Sequence, residues 1–168
     1  MNNNNEIKET SLRESLEEPV WGIVIPTYKR QNRLSECLHC LYCSVQQLET
    51  PVKIVIMDSS PTHDLAMTLR ELVATWSEPV GVHYVHLPGV NQSVLRNEGL
   101  KRLKSEQIRY VLFLDSDIYL SEQALKICSD YLDEHEEIAA LAPPLVSYAG
   151  GLHEETRRSF EYVIQRHE

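Results

Sequence analysis

Two hydrophobic patterns take turns along this chain. Short unbroken apolar runs are followed by stretches in which apolar residues recur every three or four positions. Val20-Trp21-Gly22-Ile23-Val24-Ile25 is the first run, and Pro26 ends it because proline cannot donate to a sheet ladder. After the polar loop Thr27-Tyr28-Lys29-Arg30, the residues Leu34, Cys37, Leu38, Leu41, Val45 and Leu48 fall on one helical face. Residues 52–57 form a second strand, which ends on Asp58 and the turn-prone Ser59-Ser60-Pro61. A helix over about 64–76, a weaker strand over 80–87 and a helix over 93–104 come next. Residues 110–114 are wholly apolar or aromatic, fit a strand buried on both faces, and stop abruptly at Asp115-Ser116-Asp117. Ser121 caps a further helix reaching about His135. Residues 138–146 read as a last strand-like run interrupted by Pro143-Pro144, and 156–165 as the start of another helix.

Strand and helix thus alternate with short connections. That order predicts an α/β fold with right-handed crossovers and a mostly parallel sheet flanked by helices. Residues 1–19, with four consecutive Asn and little to bury, read as a flexible or disordered tail with a frayed helix near 12–17. Residues 20–168 read as one domain, which 168 residues in total can supply with a sizeable core.

Composition narrows the function without fixing it. A hydrophobic share of 42% and a charged share of 24% are ordinary for a globular protein. The formal net charge of −9 argues against a nucleic-acid binder, which needs a basic patch. A nucleotide is still compatible, because one or two Arg and a metal can neutralise a diphosphate locally. No apolar stretch approaches a membrane span and no basic-then-apolar leader opens the chain, so the expected location is cytoplasmic. Cys37, Cys40 and Cys43 have the spacing of an iron–sulfur run, yet on a helix residues three apart drift by about 60° per step, which spreads the thiols around the circumference. They read as reduced structural thiols.

The chemistry concentrates where the apolar run 110–114 ends. Two carboxylates brought close together resist joint ionisation, and a hard divalent cation such as Mg²⁺ or Mn²⁺ removes that cost. Ligands of open α/β sheets bind at the carboxyl ends of the strands. Asp115 and Asp117 therefore read as a metal and phosphate site. The competing reading is a turn and helix cap, which Asp and Ser also favour. Arg96-Asn97-Glu98 taken alone suits a solvated helix face, and the seven histidines lack metal-ligand spacing, His83 and His86 fitting a half-exposed strand. Asp130, Asp133, Glu134, Glu136 and Glu137 suit a solvated helix end.

Four motifs in order carry a resemblance. Ile23-Val24-Ile25-Pro26-Thr27-Tyr28-Lys29-Arg30, Ile54-Val55-Ile56-Met57-Asp58-Ser59-Ser60, the run Gly89 to Leu100 (GVNQSVLRNEGL) and Phe113-Leu114-Asp115-Ser116-Asp117 together resemble the nucleotide-sugar-binding half of a family 2 glycosyltransferase with the Rossmann-like GT-A fold. The resemblance implies inverting, metal-dependent transfer from a nucleoside-diphosphate sugar, UDP-linked by preference, to a glycan, lipid or protein acceptor. It implies that Pro26, Thr27 and Tyr28 line the nucleoside and that Asp58 accepts a hydrogen bond from the base. Arg30, Arg96 and Ser116 complete the nucleotide-sugar site, with Asp115 reaching the ribose or a metal-bound water and Asp117 holding Mn²⁺ or Mg²⁺.

The match departs from the family pattern at Lys29, where Asn is common, and at Ser59, where a second Asp or Asn is frequent. The chain also stops soon after the fifth strand, so it is expected to be truncated before most of the acceptor half that supplies the catalytic base. Glu154 and Glu155 lack that base's motif, and the base is unassigned. The alternative expectation is a nucleotide-sugar-binding or scaffold protein that needs a partner chain or a second copy. A phosphohydrolase of the haloacid dehalogenase type is disfavoured, because Ile118-Tyr119 follows the second Asp and the motif comes late.

Overall fold

A computed structural model describes residues 8–13, 20–63, 65–76, 80–104 and 108–142. The strands are β1 Lys8–Arg13, β2 Trp21–Thr27, β3 Val52–Asp58, β4 Val80–His86 and β5 Tyr110–Phe113. The helices are α1 Gln31–Val45, α2 Leu65–Val73, α3 Gln92–Arg102 and α4 Ala124–Glu134. The sheet order is β1-β4-β3-β2-β5, with β2, β3, β4 and β5 parallel and β1 antiparallel to β4. The α/β class and the mostly parallel sheet read from the sequence are what the structure has.

From β2 the chain steps outward through β3 to β4, then crosses back to place β5 on the other side of β2. Right-handed crossovers put α1 and α2 on one face and α3 on the other. On the α3 face, Val24, Val55, Met57 and Val85 are buried with Leu95 and Leu103 in one cluster, joined by Val90 and Ile108. On the opposite face Ile23, Ile25, Ile54, Ile56 and Tyr84 are wholly buried. There α1 contributes Leu34, Cys37, Leu38 and Leu41 as its buried stripe, and α2 contributes Leu65, Leu69 and Val73. Helix α3 lies close on β2 because Gly99 faces Val24: a Cβ at that position would sit 2.4 Å from Val24 Cγ1.

Several expectations need correction. Residues Lys8–Arg13 are not part of a tail but a strand, which covers the edge that β4 would otherwise expose; Glu9 pairs with Arg102 of α3 from there. The remainder of 1–19 lies outside the described residues. Strand β2 runs through Pro26 to Thr27 instead of stopping before it. The Val24 carbonyl points toward β5 and accepts from Leu114 N at 3.0 Å, and Pro26, two residues on, points the same way just where that ladder has ended. No donor is missed, so proline is tolerated.

Strand β5 is not buried on both faces. Val111 and Phe113 are 40% and 45% exposed; they share the face of Gly22 and Val24, but α3 packs over β2 and β3. Nor is β4 half-exposed at its end, because His86 is buried. Residues 138–142 form no strand, and 143–168, including Glu154, Glu155 and the expected last helix, lie outside the described residues.

The chain divides into two compact units, Met1–Lys126 and Ile127–Glu168. In the second, the Tyr131 and His135 rings meet at a tilt of 36° with centroids 4.4 Å apart, and His135 meets Glu137 at 3.2 Å. The acidic residues of this stretch are exposed, as expected.

Candidate functional site

Parallel strands end together, and that brings the candidate residues to one edge of the sheet. Thr27, Asp58 and His86 occupy one register row at the carboxyl ends of β2, β3 and β4. The strand order reverses between β2 and β5, and such a switch point opens a crevice suited to ligands. Its two lips are the loop Thr27–Arg30 after β2 and the turn Asp115–Asp117 after β5, which closes through Ile118 N to Asp115 O at 3.0 Å.

Arginines from both sides of the sheet meet the two carboxylates. Arg30, at the N-terminus of α1, pairs with Asp117 Oδ2, and Arg33, one turn on, stands 3.9 Å from the same oxygen. From α3, Arg96 donates to Asp115 Oδ1 at 2.6 Å and Gln92 donates to it at 2.9 Å. Asn91 fixes the start of that helix by accepting from Val94 N at 3.0 Å. Three guanidinium groups thus converge on two carboxylates, a local positive excess in a chain of net charge −9. Two polar atoms of residues near this edge of the sheet, Thr27 Oγ1 and Arg96 Nε, are buried with no hydrogen-bond partner among the described residues. Such orphans call for an explanation, a ligand or water being the usual one.

The remaining sequence-derived positions separate into open and closed ones. Tyr28 is 51% exposed, with Lys29 Nζ 5.2 Å from its ring centroid. Pro26 and Ser116 are buried. Asp58 is 0% exposed, and both its oxygens are bonded: Oδ2 by the Tyr84 hydroxyl at 2.6 Å, Oδ1 by Ser60 N at 2.8 Å and Ser60 Oγ at 2.6 Å. Reading the sequence missed Arg33, Gln92, Ser60, Tyr84 and His86. Arg33 had a signal, since it lies three residues after Arg30 at the start of a helix.

Beneath the Asp115 turn, the Cys37 thiol approaches the Asp115 carbonyl at 3.8 Å. Burial, then Cys40, Asp117 and Asp115, push its pKa up to about 12. Cys40 is raised as well, by burial first and then by Cys43 and Glu36. All four cysteines are free, consistent with reduced structural thiols. Tyr119 donates to Glu36 at 2.7 Å, and this bond raises its own pKa.

Among the described residues, no group of three or more His, Cys, Asp or Glu side chains is placed to hold a cation by itself. The donor set still fits Mg²⁺ or Mn²⁺, which are commonly held by one or two carboxylates with phosphate oxygens and waters completing the shell. No helix among the described residues is long and apolar enough to cross a membrane.

Comparison with known proteins agrees with this geometry. The profile of glycosyl transferase family 2 matches residues 22–167. The poly(ribitol-phosphate) beta-N-acetylglucosaminyltransferase TarS of Staphylococcus aureus is 25% identical over 115 residues, covering 68% of this chain and 19% of that protein. The solved structure of S. aureus TarS 1-349 in complex with UDP-GlcNAc matches with a TM-score of 0.52 and 25% identity, over 69% of this chain and 32% of that one. The mannosyltransferase PcManGT from Pyrobaculum calidifontis, solved with GDP-Man and Mn²⁺, shares the fold with a TM-score of 0.50 at 16% identity, over 71% of this chain and 34% of that one. The chain spans about a fifth of the length of the first of these relatives.

Proposed function

The chain belongs to glycosyl transferase family 2, and from that premise we propose that the crevice between β2 and β5 is the donor site for a nucleoside-diphosphate sugar, UDP-linked by preference. The observation that carries the reading is the meeting of Arg30, Arg33 and Arg96 with Asp115 and Asp117 at the topological switch point.

In this reading the exposed Tyr28 ring stacks on the base. Asp115 and Asp117 would hold Mn²⁺ or Mg²⁺, which would supply Lewis acidity to the departing diphosphate. The arginines, released from the carboxylates, turn to the phosphate oxygens, for which a guanidinium fork is well shaped. Transfer is in line: the acceptor oxygen bonds to the anomeric carbon as the bond to the diphosphate breaks, with inversion. The hydroxyl proton passes to a base that the described residues do not identify. The acceptor is a glycan, lipid or protein; TarS, by its name, acts on poly(ribitol-phosphate).

Calorimetry with UDP, with and without Mn²⁺, tests the site, followed by a donor-hydrolysis assay with UDP-sugars. Binding strengthened by Mn²⁺ is expected. Binding without turnover would reduce the role to holding the donor, and no binding of UDP or GDP at millimolar concentration would remove the proposal.

A further inference from the structure

Asp58 stands where a ligand contact is expected, but its surroundings describe a different task. The side chain is wholly buried, and its two oxygens take bonds from Tyr84 on the neighbouring strand and from Ser60 two residues on. To accept a bond from a base it would need an oxygen open to the crevice. The bonding continues outward instead. Ser60 Oγ, having donated to Asp58, accepts from the Lys29 backbone N–H at 2.9 Å. Two further bonds hold the same corner: His86 Nε2 lies 2.8 Å from the Ser60 carbonyl, and Ser59 N donates to the Thr27 carbonyl at 3.1 Å.

Lys29 is the point of leverage. Its φ of 51° lies in the left-handed region, which a residue with a Cβ occupies only when its surroundings hold it there. The next residue, Arg30, begins the first turn of α1 through its carbonyl, which accepts from Leu34 N at 2.8 Å, and its side chain spans the crevice to Asp117. The bond from Lys29 N to Ser60 Oγ is thus the tie between a buried, inward-facing network and a residue at the mouth of the crevice.

We propose that Asp58 and Ser60 are positioning residues: through the chain Tyr84–Asp58–Ser60 they hold the Lys29 amide, keep Lys29 in its left-handed turn, and so aim Arg30 across the crevice. That Arg30 is aimed at a diphosphate rests on the function proposed above; the hold on Lys29 does not.

The test is amide hydrogen exchange on the ligand-free chain of 168 residues, comparing the parent with Ser60→Ala, Asp58→Asn and Tyr84→Phe. Removing the acceptor in Ser60→Ala raises exchange at Lys29 about tenfold, the scale of one lost hydrogen bond. The amides of Val55 and Ile56 inside β3 keep the parent's rates. Asp58→Asn and Tyr84→Phe, further along the chain of bonds, give the same local pattern at smaller size. Titration then separates positioning from contact. Ser60→Ala weakens UDP about threefold or more, the upper range of a solvent-accessible charge pair, and leaves uridine unchanged, because Arg30 serves the phosphates. Unchanged exchange at Lys29, an equal rise in β3, or equal losses for uridine and UDP would each overturn the proposal. A parent chain that binds no UDP would sink the nucleotide reading alone, with the exchange rates still deciding the hold on Lys29.

Discussion

Replacing Gly99 by alanine sets two known effects against each other at one methyl group. In a helix interior, alanine is favoured over glycine by about 1 kcal/mol. Here, however, the added Cβ would lie 2.4 Å from Val24 Cγ1, 3.2 Å from Val24 Cγ2 and 3.1 Å from Met57 Cγ, where ordinary contact begins at 3.4 Å. Val24 is β-branched, wholly buried and fixed in a central strand, so it cannot swing away. The helix must lift by about an ångström, and overpacking of this kind costs about 1–3 kcal/mol. Gly99→Ala is therefore expected to destabilise by about 1 kcal/mol net. It also lifts Gln92 and Arg96, which share the helix, away from Asp115. Urea unfolding of the parent, Gly99→Ala, Val24→Ala and the double variant is the assay. Because Val24→Ala removes both clashing methyl groups, the double variant should be more stable than the sum of the single losses by about 1 kcal/mol. Additivity within about 0.5 kcal/mol, or a Gly99→Ala chain as stable as the parent, would refute the reasoning.

The remaining expectations concern the crevice and the thiol beneath it. Asp117→Asn should abolish the Mn²⁺-dependent part of UDP binding in calorimetry and leave the far-ultraviolet spectrum unchanged; undiminished Mn²⁺ dependence would take Asp117 out of the site. Arg30→Gln, by removing the guanidinium that meets Asp117, should tighten Mn²⁺ binding to the nucleotide-free chain by at most about fivefold, as befits a solvent-accessible pair; paramagnetic resonance of free Mn²⁺ reads this directly. Cys37 has a folded pKa of about 12 against an ordinary 9.0. Its contribution to stability is therefore complete below about pH 9 and lost as pH rises toward 12, at no more than about 1.4 kcal/mol per pH unit. Urea midpoints from pH 8 to 10.5 should fall more steeply for the parent than for Cys37→Ala, and parallel slopes would contradict this.

The sheet was readable because β2 and β3 carry the apolar stretches Ile23–Ile25 and Ile54–Met57, whose burial on both faces follows from helices on both sides. The order of Asp58, Arg96 and the pair Asp115 and Asp117 along the chain located the carboxyl edge. What sequence could not supply was the rotation of each helix. Gln92 matters because α3 turns it toward Asp115, and nothing in its neighbours' polarity announces it; Arg33, one turn after Arg30 on α1, was the more legible of the two. The enclosure of Asp58 went unread for a similar reason, since Tyr84 reads as one more apolar strand residue until its hydroxyl is seen at 2.6 Å from Oδ2. Strand β5 was overestimated because four apolar letters look alike whether one layer or two covers them. Strand β1 escaped notice for the opposite reason: KETSLR has no apolar alternation, and it is a strand only because β4 offers it an edge.

That six-residue strand has a practical bearing. The family match begins at residue 22, and β1 lies wholly before it. A chain trimmed to the match would keep every residue of the crevice and lose the pairing along β4 from Val82 to His86, together with the Glu9 partner of Arg102. Bare amides and carbonyls of a Val-rich strand would then face water, an arrangement prone to edge-to-edge aggregation. Protein prepared from Met1 onward avoids the hazard, and a poorly soluble trimmed chain would say nothing against the chemistry of the crevice.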